Sequence, residues 1–157
     1  MYPAKAPLEF KSVLITRLTD RDSYDLNKAD TVYCGRCRNC KSSYGLGLGN
    51  PFSHKNTKNC VWKVKNLSES LSYYHQWLSY LINNSHTQQN LADWEQIYRQ
   101  EFLKFCHNIE QINTLVCFCV NTYHNTSNTS IYCHSQILWN FAVWYVRHNR
   151  PTDLQIS

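Results

Sequence analysis

Eight cysteines in 157 residues, and the way they gather, set the chemistry open to this chain. Cys34, Cys37 and Cys40 stand within Cys-Gly-Arg-Cys-Arg-Asn-Cys, and a C-x-x-C turn offers two thiolates to a soft tetrahedral cation without backbone strain. Cys60 supplies a third donor, and either Cys40 or His54 the fourth, so zinc is the ion expected. Downstream, Cys117, Cys119, His124 and Cys133 or His134 form a second donor set. One or two zinc ions are expected, the two clusters reading as separate sites. The competing expectation is that cysteines pack as small apolar groups. That suits Cys106, beside Phe105 on an apolar helix face, better than three cysteines set among Arg, Asn and Gly.

The net charge of +5 is unevenly placed. Residues 1–65 carry twelve Lys or Arg against five acids, whereas residues 66–157 carry four against six. No Asp or Glu occurs from Thr31 to Ser68, the stretch that holds the first cluster with Arg36, Arg38, Lys41, Lys55, Lys58, Lys63 and Lys65. An anionic partner is expected for this module. Tyr33, Tyr44, Phe52 and Trp62 interleave with those bases, a mixture suited to nucleic acid, where cations neutralise phosphates and a ring stacks on a base. The blander alternative is a solvated basic surface, because sequence order alone does not put the charges on one face.

With 43% hydrophobic and 14% aromatic residues the chain is too rich in large side chains for disorder, and its length suffices for one domain with its own core. No stretch of eighteen apolar residues occurs, and Met1-Tyr2-Pro3-Ala4-Lys5 leads into no apolar segment with a cleavage site. An intracellular protein of nucleus or cytoplasm, without membrane contact, is expected; in a reducing compartment thiols bind metal or do redox chemistry more often than they pair. Gly-x-Ser-x-Gly, His-Glu-x-x-His and the zinc-deaminase pattern are missing, and Gly45-Leu46-Gly47-Leu48-Gly49 lacks the lysine of a phosphate cradle. The one enzyme reading with residue support is thiol oxidoreduction by Cys34 and Cys37. Binding without catalysis is the expected function.

The elements that must position these residues read as an α+β fold. Ser12–Leu18 is β-branched and predicts a strand, Gly45 to Pro51 predicts a loop, and Val61–Lys65 alternates as a second strand. A helix is expected over 68–83, capped by Ser68, and a longer one opening at Asn90 with a stripe from Leu91 through Tyr98 and Phe105 to Ile112. Thr114–Val120 predicts a strand with Cys117 and Cys119 on one face, followed by a loop over 121–130 that folds His124 back. Ser135 is expected to cap a last helix that stops before Arg150-Pro151. A single domain over 1–157 results, with a basic, Cys-rich metal module over 1–65 and about three amphipathic helices with the second cluster over 66–157.

Two resemblances bear on function. Cys117-Phe118-Cys119, Cys133, Ile137-Leu138-Trp139 and Asp153-Leu154 resemble the zinc-binding end of polyomavirus small tumour antigens, and the same C-x-C, Cys and aromatic helix are similar to adenovirus early-region zinc proteins. The further cysteine and J-domain His-Pro-Asp of the small tumour antigens have no counterpart here, and the adenovirus spacing differs, so no site residue is carried over. These resemblances imply a small viral accessory protein that binds a host or other cellular protein. Exposed aromatics such as Trp139 or Trp144 are the anchors expected for such binding. Cys34-Gly35-Arg36-Cys37 with Tyr44 and Asn50-Pro51 also resembles the flavin-dependent sulfhydryl oxidases of large DNA viruses, without their Trp and His pair before the cysteines.

Overall fold

The computed structural model describes residues 14–17, 30–35, 48–54, 61–83, 91–117, 124–125, 131 and 133–149, and shows an α+β fold of short strands and three helices. Four strands form one sheet: β1 (Leu14–Arg17), β2 (Thr31–Tyr33), β5 (Thr114–Cys117) and β6 (His124–Asn125), in the order β2-β5-β1-β6. A two-stranded ribbon joins β3 (Phe52–Ser53) to β4 (Trp62–Lys63). The helices are α1 (Leu67–Asn83), α2 (Asp93–His107) and α3 (His134–Asn149).

β5 lies between β1 and β2, parallel to both, and β6 closes the sheet antiparallel to β1. Ile15, Leu115 and Val116 are wholly buried, and consecutive buried residues in β5 fit a strand covered on both faces. Asp30 fixes the register before β2 begins. Its carbonyl accepts from the N–H groups of Asn113 and Thr114, and its carboxylate accepts from the Asn113 amide (2.8 Å). Residues before position 65 thus share a sheet with residues beyond 113.

Against this sheet the helices bury one continuous apolar cluster. α1 contributes Tyr74, Trp77, Leu78, Leu81 and Ile82 at helical spacing, α2 contributes Tyr98, Phe102, Phe105 and Cys106, and α3 packs on both helices through Leu138, Trp139, Ala142, Tyr145 and Val146. Cys106 is a core residue, as its apolar surroundings predict.

The helix ends depart from the sequence expectations. α1 is capped by Asn66, not Ser68: Asn66 Oδ1 accepts from Glu69 N–H (2.8 Å), while Glu69 Oε1 accepts from Lys65 N–H (3.3 Å). α2 begins after Ala92 instead of Asn90, with Glu95 reaching back to the Ala92 N–H (3.1 Å). It stops at His107, where Asn108 donates its side-chain amide to Lys104 O, and Ile109–Gln111 turns as a short 3-10 segment before buried Ile112. α3 opens one residue before Ser135, and Gln136 Oε1 accepts from the Cys133 N–H (3.1 Å) as the side chain that closes its first turn. His124, expected in a loop, lies in β6 opposite Ile15.

Candidate functional site

The parallel strands end at one edge, and the two cysteine clusters start there. Cys34 follows β2 directly and extends the ladder by donating its N–H to Val116 O (2.7 Å). It stands one step beyond the Tyr33–Val116 pair, at the level of Cys117, which itself lies beside Arg17 of β1. α3 begins against the same edge: His134 Nε2 donates to the Cys34 carbonyl (2.5 Å) across 100 residues of sequence. Ligand chemistry in open parallel sheets gathers at the carboxyl ends of the strands, and this edge holds members of both donor sets.

The surroundings are dry. Cys34, Cys133, Ser135 and Gln136 are wholly buried and His134 nearly so. The Tyr74 ring meets the His134 imidazole edge-on at 5.4 Å, and the Tyr74 and Tyr98 hydroxyls lie 2.9 Å apart. Tyr98 donates onward to Leu48 O (2.9 Å), so the shared proton between the two tyrosines comes from Tyr74. Burial pushes the Tyr98 hydroxyl upward; the Tyr74 hydrogen bond opposes this in part, and Cys34 adds a smaller upward push. The Cys34 sulfur lies 3.9 Å from Val32 O. Gly35 is packed under Tyr33, whose hydroxyl would stand 2.5 Å from any Cβ placed there.

The fit to zinc rests on His134. A carbonyl accepts, so Nε2 carries a proton, and in a neutral ring the lone pair then lies on Nδ1, the tautomer that metal-bound histidines adopt when their other nitrogen donates to a backbone carbonyl. Among the described residues no group of three His, Cys, Asp or Glu is disposed to hold a metal ion. Cys37, Cys40, Cys60, Cys119 and the side chains of Cys117 and His124 lie outside the described residues, as do Arg36, Arg38, Lys41, Lys55 and Lys58. His54 is exposed just beyond β3.

A second feature lies on the surface. Phe52 stacks on Trp62 (centroids 4.8 Å apart, planes 23° apart) and on Tyr73 of α1 (5.6 Å, 20°). Trp62 also meets Trp94 at 5.7 Å, and Trp94 stacks on Trp77 at 5.6 Å, which joins this ladder to the core. Trp62 and Tyr73 remain 41% and 44% exposed. A buried clasp holds Phe52: its N–H donates to Asn50 Oδ1 (2.9 Å), Asn50 Nδ2 donates to Ser70 Oγ (2.9 Å), and Ser70 Oγ donates to Phe52 O (2.8 Å). Lys63 and Lys65 follow Trp62 and are exposed.

Sequence reasoning named Phe52 and Trp62 but missed Tyr73, the Asn50–Ser70 clasp and the Tyr74–Tyr98 pair. The signal for the pair was a tyrosine on each buried stripe, since a buried phenol needs a partner. Trp139, expected as an exposed anchor, is a core residue: it is 4% exposed and edge-on to Phe105, whereas Trp144 is 43% exposed and stacks on His148. Among the described residues no helix is long and apolar enough to cross a membrane. Compared with known proteins, the chain matches no family model, no curated protein and no solved structure.

Proposed function

We propose that this chain is a zinc-fastened binding protein without catalysis of its own. The observation that carries the reading is the His134 to Cys34 hydrogen bond, which joins the first cysteine cluster to the second at one sheet edge. Three thiolates at and beyond the ends of β2 and β5, from Cys34, Cys37 and Cys117, with His134 through Nδ1 from the start of α3, are the four donors assigned. Zinc at this edge ties together two strand ends and a helix and contributes to folding directly.

Two observations favour binding over thiol chemistry. Cys34 is wholly buried beside the Val32 carbonyl, a setting that shields a thiol from a disulfide substrate. Among the described residues, moreover, large rings are exposed on the β3–β4 ribbon (Trp62), on α1 (Tyr73 and Tyr80) and on α3 (Trp144), as a contact surface needs. Of the two partner classes expected, a cellular protein loses one anchor, because Trp139 is in the core.

Elemental analysis of the purified chain, with a count of reactive thiols, tests the reading. Stoichiometric zinc and a thiol count that rises on chelation are expected. Metal-free protein with a Cys34–Cys37 disulfide and bound flavin would replace it with the oxidase reading.

A further inference from the structure

We propose that the Trp62–Phe52–Tyr73 stack is a platform for single-stranded nucleic acid, with Lys63 and Lys65 contacting phosphates. The inference names the partner of the binding reading above, and it is carried by a different part of the molecule. Rings left open to water cost free energy unless they are covered, and three near-parallel rings offer what a base needs, a flat apolar face of fixed orientation. The orientation is fixed in advance. Phe52 is clasped on both its N–H and its carbonyl by Asn50 and Ser70, and Trp62 is tied to the ribbon by its N–H to Pro51 O (3.0 Å), so little conformational freedom is lost on binding.

Charge selects the occupant. Lys63 and Lys65, both exposed, come directly after Trp62 in the chain, within a stretch of sequence from Thr31 to Ser68 that has no carboxylate. Two nearby acids are engaged: Glu69 accepts from Lys65 N–H, and Glu95 accepts from the Trp77 indole (2.8 Å) and Ala92 N–H. Strand alternation puts Lys63 on the opposite side of β4 from Trp62, so it meets phosphates passing the ribbon edge and not the stacked base. A duplex hides its base faces within its own stack, which is why a ring platform beside sparse lysines selects single strands.

The test titrates the 157-residue chain with an oligothymidylate of about fifteen nucleotides, reading tryptophan fluorescence, against a duplex of equal length. Saturable quenching by the single strand is expected, with the duplex at least about tenfold weaker. Trp62→Ala weakens binding about tenfold or more, while Trp62→Phe retains a ring and most of the affinity. Lys63→Glu with Lys65→Glu lowers the salt slope by about 1.4, or about 0.7 for each phosphate that is no longer neutralised. The Phe and Glu variants keep the test decisive if Trp62→Ala fails to fold. No saturable quenching at low salt, equal affinity for the duplex, or parental binding by folded Trp62→Ala would each overturn the platform. Zinc content and the effect of chelation are read separately, so a metal-free chain that still binds the oligomer sinks the zinc reading alone.

Discussion

The Tyr74 hydroxyl donates to the Tyr98 hydroxyl across 2.9 Å inside the core, and Tyr98 passes its own proton to the Leu48 carbonyl. This relay sets an order of costs. Tyr98→Phe strips both Leu48 O and the Tyr74 hydroxyl of this partner, for about 2–4 kcal/mol, whereas Tyr74→Phe removes one donor and costs about 1 kcal/mol. Urea unfolding of the two variants measures the difference, and equal costs would mean that the relay is not formed.

Alkaline pH probes the same interior. Tyr98 and Cys106 both hold their protons more tightly folded than unfolded, because burial penalises the charged forms. The stability they supply is therefore complete below their unfolded values, about 9 for the thiol and about 10 for the phenol, and is lost as pH rises above them. Each adds about 1.4 kcal/mol per pH unit to the decline. Unfolding at stepped pH should show a steepening near pH 9–10 that becomes shallower in Tyr98→Phe and in Cys106→Ala.

Trp139 and Trp144 look alike in sequence, five residues apart on one helix, and should behave oppositely. Trp139→Ala opens a cavity beside Phe105 and costs about 3–5 kcal/mol. Trp144→Ala, at a position open to solvent, costs under about 1 kcal/mol. Thermal melts of the pair check the assignment, and a large loss from Trp144→Ala would mean that this helix face is covered.

The start of α1 gives a similar contrast. Asn66→Ala removes the oxygen that accepts from Glu69 N–H and costs about 1 kcal/mol, while Ser68→Ala, at an exposed position inside the first turn, is close to neutral. Comparable melting points for the two variants would contradict the Asn66 cap.

The helices were the most legible part, because Tyr74, Trp77, Leu78 and Leu81 repeat with the period of a helix and no tertiary contact is needed to see it. Their ends were less so: Asn66 and Ser68 are both good caps, and the choice depends on Asn50 and Ser70 anchoring the ribbon in front of α1. β2 and β6 were invisible, since Thr31–Tyr33 and His124–Asn125 are too short to show a period and are strands only because β5 and β1 offer them open edges. The contact of His134 with the Cys34 carbonyl was not legible, because the two residues are 100 positions apart in sequence. Their meeting follows from parallel pairing of β2 with β5, a long-range fact that residue spacing does not encode.

The most direct test of the shared edge is an X-ray absorption spectrum at the zinc edge, taken on the purified chain and on His134→Gln. A zinc-fastened edge predicts a four-coordinate shell of sulfur with an imidazole signature that disappears in the variant. Absence of zinc from fully reduced protein, or a shell of oxygen alone, would contradict it.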